Sequence, residues 1–278
     1  MRLIGIFDSG VGGLSVLRSL RLQLPDEAII YLADQAHVPY GPRPLEQVRT
    51  FSEQITRYLL GQGASLIVVA CNTASAAALQ HLRQTFPMTP FVGMEPAVKP
   101  AAEQTRSKVV GVLATPATFQ GELYASVVER FAQGVVLLQS TCPGLVAQIE
   151  AGDLDGLVTR RILEDALQPM LAQGIDTVVL GCTHYPFVIP LIQHIVGPAV
   201  RVIDPAPAVA RQAARLLMSN SLRQEIATIP PGLSFLTTGD PEALAAALPR
   251  LLGEQAPVEK VCWIEDTLAE CSQNSIRG

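Results

Sequence analysis

The chain has 278 residues with a formal net charge of −5, and 49% of them are hydrophobic. Such a length supports a core larger than one compact domain needs, so two domains are expected. The acidic balance and a lysine set of only Lys99, Lys108 and Lys260 argue against the clustered cations of a nucleic-acid footprint. No run approaches the ~18 apolar residues of a membrane span, and Asp8 interrupts the first apolar stretch too early for a secretory signal. A cytoplasmic protein is the expectation. In chain order, β-branched runs predict strands over Leu3–Phe7, Ala28–Leu32, Leu66–Ala70, Phe91–Gly93, Val109–Ala114, Val135–Gln139, Thr177–Leu180, Val200–Ile203 and Leu233–Thr237. Helical patterns fall between them, among them Pro44–Leu60 and Leu154–Ala172, with "AVARQAARLLM" after Asp204. This alternation predicts an α/β fold of mostly parallel sheets flanked by helices.

Part of the chain is written twice. "LLGQGASLIVVACNT" (Leu59–Thr73) and "MLAQGIDTVVLGCTH" (Met170–His184) share a Gln-Gly pair, an apolar run and a cysteine at an offset of 111. "LIGIFDS" (Leu3–Ser9) matches "VVGVLAT" (Val109–Thr115) at an offset of 106. Repeats of this length mark a domain duplication rather than a solenoid. The second half is expected over residues 98–208. Whether the tail returns to the first half is not legible from the pattern.

The five cysteines, Cys71, Cys142, Cys182, Cys262 and Cys271, are odd in number and widely spaced, so neither a disulfide scaffold nor a zinc site is expected. A single buried cysteine is ordinarily inert packing. Cys71 and Cys182 differ because each follows a predicted strand and precedes a helix, at corresponding places in the two halves. Ligands of open α/β sheets collect at that end of the strands, and a helix N-terminus there lowers a thiol pKa and binds carboxylates. If the halves face each other, the two thiols share one cleft.

"FDSGVGGLSVL" puts Asp8, Ser9 and three glycines at the same level. A dinucleotide loop is the rival reading, with Asp34 at the spacing of a ribose-binding acid, yet Ser15 stands where the third glycine should be. His184 follows Cys182 closely enough to serve it. His37, His81 and His194 have no such context, and Glu150 at a helix end is by default a solvated carboxylate.

The motifs "IGIFDSGVGGLSVL", "YLADQAHVPYGPR", "VVACNTASA", "GVLATPATF" and "VLGCTHYPF" together resemble the glutamate racemase family, of the cofactor-independent aspartate/glutamate racemase superfamily. The resemblance implies two pseudo-symmetric α/β domains, residues 1–97 plus 209–278 and residues 98–208, with the active site in the cleft between them. It implies interconversion of L- and D-glutamate for peptidoglycan synthesis by a homodimer. Cys71 and Cys182 match the catalytic cysteines, Asp8 and His184 their assistants, and Glu150 a further acid. Asp8, Ser9, Tyr40, Gly41, Asn72, Thr73, Thr183 and His184 match substrate-binding positions, and Thr115 and Thr118 are expected to line the cleft. The stretch "CPGLVAQIEAG" departs from the family, which carries bulkier apolar residues after the Cys-Pro. The chain also begins on its first strand, without the N-terminal extension linked in some members to activation by a cell-wall precursor, so that regulation is not expected.

Racemisation takes the α-proton from one face and returns a proton to the other, so two acid/base groups must flank one carbon. The duplicated thiols meet that need. A pyridoxal phosphate route needs a Schiff-base lysine, and none of the three lysines adjoins these motifs. Neither cofactor nor metal is expected. Racemisation of aspartate, isomerisation or decarboxylation of a related diacid, and a non-catalytic small-molecule or nucleotide binder remain open as alternatives.

Overall fold

The apolar runs become strands whose faces are covered by helices. A computed structural model describes residues 2–219 and 232–271 of the chain. The first part runs β1 (Leu3–Asp8), α1 (Leu14–Gln23), β2 (Ala28–Ala33), α2 (Leu45–Gly61), β3 (Leu66–Val69), α3 (Asn72–Thr85), β4 (Phe91–Gly93) and α4 (Val98–Gln104). The second runs β5 (Val109–Ala114), α5 (Pro116–Gln120), α6 (Glu122–Phe131), β6 (Val136–Ser140), α7 (Leu145–Glu150), α8 (Leu157–Ala172), β7 (Thr177–Gly181), a 3-10 turn over Tyr185–Val188, α9 (Ile189–Val196) and β8 (Arg201–Ile203). The chain ends with α10 (Ala206–Met218), β9 (Leu233–Thr237), α11 (Pro241–Leu251), β10 (Val258–Ile264) and β11 (Thr267–Glu270).

The duplication reappears as topology. One sheet contains the order β2-β1-β3-β4 and the other is β6-β5-β7-β8, all pairs parallel. β1 and β5 are thus equivalent, as are β3 and β7. Every residue of β1, β3 and β7 is buried, as expected of parallel strands covered on both faces. The repeated Gln-Gly also has a structural meaning. Gln62 and Gln173 cap the C-termini of α2 and α8, and the following Gly63 and Gly174 adopt φ of +90° and +79°. Only glycine takes that left-handed conformation without steric cost, which ends each helix and turns the chain into the next strand.

The tail does return to the first sheet. Helix α10 packs on α1, and β9 pairs parallel with β2 from Ile29↔Leu233 to Ala33↔Thr237. β10 and the antiparallel β11 then extend the edge, giving β11-β10-β9-β2-β1-β3-β4. This hairpin is absent from the predicted strands, because "VEKVCWIEDTLAE" mixes charges with its apolar residues. It also corrects the reading of the cysteines: Cys262 and Cys271 form a disulfide with Cα atoms 5.1 Å apart, leaving Cys71, Cys142 and Cys182 free.

In the second sheet, Asp176 ties the turn before β5 to the start of β7. Its carboxylate accepts from Thr105 Oγ1 at 2.7 Å, Arg106 N at 2.6 Å, Ser107 N at 2.9 Å and Thr177 Oγ1 at 3.1 Å. Desolvation raises its pKa, but these hydrogen bonds outweigh it and bring the group from 3.8 to about 2. A depressed folded-state pKa stabilises the fold above pH 3.8, and the benefit disappears as pH falls through about 2. Asp176→Asn is therefore expected to lower Tm at pH 7 by about 2–4 °C. Calorimetry of both proteins should find the difference closing as pH approaches 2.

Candidate active site

Four equivalent strand ends deliver the site. β1 ends at Asp8, β3 leads into Cys71, β5 into Thr115 and β7 into Cys182, all at the carboxyl edge where open parallel sheets bind ligands. A cavity of about 260 Å³ lies there, of a size suited to a small molecule. Ser9, Tyr40, Gly41, Cys71, Asn72 and Thr73 line it from the first sheet's loops. Thr115, Cys182, Thr183 and His184 line it from the second's. Asp8, Glu150 and Thr118 are set behind these residues rather than on the wall. None of Lys99, Lys108 and Lys260 lines the cavity.

Other wall residues had no expected role: Pro39, Pro42, Pro116, Thr141, Cys142, Pro143, Gly144, Val146, Ala147 and Tyr185. A signal for several of them was present. The loop after β2 carries Tyr40, so the loop after its equivalent β6 should also reach the site, and that loop holds Cys142. Gly144 there has φ +86° at the start of α7, and the small residues of "CPGLVAQ" form part of the wall. The side chain of Asn72 is unusual in the opposite way. Both its Oδ1 and Nδ2 are buried without a hydrogen-bond partner, an arrangement that costs free energy unless a ligand satisfies it.

Carboxylates sew the two halves together beside the cavity. Asp8, fully buried, accepts from Gly10 N at 2.7 Å and from Thr183 Oγ1 at 3.0 Å across the seam. Glu150 Oε1 accepts from Val11 N at 2.8 Å and lies 2.6 Å from His184 Nε2, while Gln35 Nε2 approaches Oε2 at 3.4 Å. Its side chain is 15% exposed, so the default reading of a solvated carboxylate fails. Ser15 Oγ donates to Thr183 O at 2.9 Å, and Thr73, Thr115 and Thr118 form a hydroxyl chain with 2.9 Å steps.

Glycines permit this closeness. A Cβ at Gly10 would collide with the Glu150 carboxylate, and one at Gly12 with the His184 ring and the Thr183 hydroxyl. The glycine loop is therefore filled by side chains of the other half, leaving no cradle for a pyrophosphate. Asp34 is likewise occupied, accepting from Tyr40, His37, Thr238 and Trp263. The dinucleotide reading is overturned on both counts. His81 pairs with Glu53 at 2.6 Å, away from the site.

The electrostatics separate the two thiols. At Cys71, burial dominates and Asp8 adds to it, pushing the thiol well above its usual range. Ala74 N donates to its Sγ at 3.5 Å, so the helix N-terminus pulls the pKa down as expected but loses to desolvation. Cys182 Sγ instead lies 3.7 Å from His184 Nδ1. Burial disfavours the His184 cation, yet Cys182 and Glu150 outweigh that and hold the ring well above its usual pKa. Glu150 is lowered despite its own desolvation, by the hydrogen bond and charge of His184 and by Val11 and Gln35. Burial raises Asp8 to about 6, against the opposing charge of His184. The remaining free thiol, Cys142, is raised by burial to about 11.

Comparison with known proteins identifies the family. Residues 4–213 match the family model described as Asp/Glu/Hydantoin racemase. The glutamate racemase of Ectopseudomonas mendocina is 51% identical over 256 residues, covering 92% of this chain and 96% of the relative. Escherichia coli glutamate racemase, solved with L-glutamate and the activator UDP-MurNAc-Ala, superposes with a TM-score of 0.83 at 32% identity, covering 95% of this chain and 99% of its own. The Francisella tularensis glutamate racemase, solved with D-glutamate, gives 0.80 at 29% identity and covers 94% and 97%. The chain is thus an amino-acid racemase of the Asp/Glu/Hydantoin racemase family, on its glutamate racemase branch.

Proposed function

We propose that the chain interconverts L- and D-glutamate without a cofactor, Cys71 and Cys182 acting as the two acid/base groups. One observation carries the reading: two thiols at equivalent strand ends of a duplicated fold line one cavity beside an unpartnered Asn72 amide. Relatives of the same fold bind L-glutamate in one case and D-glutamate in another, which supports a site that tolerates both hands. The division into residues 1–97 plus 209–278 and 98–208 belongs to the same proposal. Family likeness further supports a cytoplasmic homodimer whose D-glutamate enters peptidoglycan.

In the reaction one sulfur, as thiolate, takes the α-proton, and the other, as thiol, protonates the opposite face of the carbanion. For the opposite substrate hand the roles exchange. Asp8 would accept and return the proton of Cys71, while the His184 cation, held by Glu150, would stabilise the thiolate form of Cys182. Among the described residues, neither arginine nor lysine lines the cavity. The substrate's carboxylates would therefore meet the backbone N–H groups at the start of α3, the hydroxyls of Ser9, Thr73 and Thr183, and the Asn72 amide.

Circular dichroism of either glutamate enantiomer with the pure protein should decay to zero, with deuterium entering the α-carbon in heavy water. Cys71→Ser and Cys182→Ser should each lower kcat by at least about 10³-fold; near-wild-type turnover in either would remove the two-thiol scheme. Aspartate should be a poor substrate by comparison.

The acid limb of kcat/KM should follow Asp8. Its pKa is about 6, so activity should fall as the carboxylate protonates below that pH. His184, raised well above 6.5, stays cationic through neutrality and should leave the plateau intact. A pH–rate profile flat down to pH 4 would count against the role given to Asp8. Gly12→Ala, whose Cβ would strike His184 and Thr183, should cost about 10²-fold in kcat/KM while far-ultraviolet dichroism stays unchanged.

A further inference from the structure

Behind the Tyr40 wall lies a carboxylate that the proposed chemistry does not use. Asp34 follows β2 and is fully buried. Its Oδ2 accepts from the Tyr40 hydroxyl at 2.6 Å and from His37 Nδ1 at 2.9 Å. Its Oδ1 accepts from Thr238 Oγ1 at 2.7 Å and from Trp263 Nε1 at 2.8 Å. A carboxylate offers about four lone-pair positions, so these donors saturate it. Asp34 has none left for a substrate.

Each donor comes from a part of the chain that the site needs held still. Tyr40 and Gly41 line the cavity, and a Cβ on Gly41 would come within 3.2 Å of Thr115 on the opposite wall. A small shift of this loop therefore changes how the halves meet. His37 stacks on Phe51 with ring centroids 3.8 Å apart, and Trp263 meets the His37 ring edgewise at 5.1 Å. Thr238 follows β9 and also accepts from Ala36 N at 3.0 Å. Trp263 lies on β10, in the hairpin clipped by the Cys262–Cys271 disulfide. The carboxylate thus joins the cavity wall to a hairpin that contributes nothing else to the site.

We propose that Asp34 is a positioning residue for racemisation: it fixes the Tyr40–Gly41 wall and, through Trp263, makes the C-terminal hairpin part of the site's scaffold. This rests on the reading of the cavity as a glutamate site. An anion shared by several donors couples them, so loosening one member weakens the hold on the others. The reacting atoms never touch Asp34, so its loss acts on substrate binding more than on the chemical step.

The test is steady-state racemisation of D- and L-glutamate by the full-length wild type, Asp34→Asn, Trp263→Phe and the double variant. Asp34→Asn should raise KM about tenfold with kcat within about threefold, and Trp263→Phe should raise KM about threefold. The double variant should match Asp34→Asn alone, because both changes break one network. Emission from Trp263, the only tryptophan in the chain, should shift in Asp34→Asn. A structural role alone would lower Tm and the yield of active protein at unchanged KM. If Asp34→Asn does not fold, Trp263→Phe decides, since it removes one donor at a partly exposed side chain. Unchanged KM in the folded variants overturns the inference while the racemase reading stands. An inactive wild type overturns that reading and the inference together.

Discussion

The site depends on buried carboxylates that bind across the junction of two sheets. Asp8 reaches the Thr183 hydroxyl, and Glu150 takes both Val11 N and His184. Each is an anion at low exposure, expensive to bury unless its lone pairs are filled. They are filled only when the halves meet with the glycine loop of one against the cysteine loop of the other. Gly10 and Gly12 make that meeting sterically possible. The hydrogen bonds that satisfy the acids therefore also set the spacing of the walls that carry Cys71 and Cys182.

The symmetry stops at the strand ends. Cys71 has a carboxylate for its charged neighbour and is deeply desolvated, so it is held as a thiol. Cys182 has an imidazole, which Cys182 itself and Glu150 keep cationic against its own desolvation. A duplicated fold thus presents two sulfurs with different proton partners, an acid at one and a base at the other. For the proposed reaction, which starts with one thiol and one thiolate, this asymmetry is useful. Both partner groups derive from the seam, which is why the same residues close the fold and tune the chemistry.

Much of this was legible in the residues. The repeated Gln-Gly followed by an apolar run and a cysteine translates directly into helix end, positive-φ glycine, strand and thiol, because that turn has few chemical solutions. Period and run length marked β1 through β9 for the same reason. The β10–β11 hairpin escaped because edge strands alternate charge with apolar residues and lose the continuous signal. Glu150 could not be read from its helix-end position, since only its partners across the seam reveal its burial. Asp34 was open to misreading as a ribose ligand because spacing alone says nothing of the four donors around it. At Cys71 the helix N-terminus that lowers a thiol pKa is visible locally, whereas the desolvation that outweighs it is a property of the packed whole.

The central claim is that one substrate carbon sits between two sulfurs, and a crystal structure with bound D-glutamate measures it most directly. The account predicts the α-carbon in the 260 Å³ cavity, with Cys71 Sγ and Cys182 Sγ on opposite faces, each about 3–4 Å away, and the Asn72 amide bonded to the ligand. An α-carbon approached by both sulfurs from one face, or lying beyond the reach of either, would contradict it.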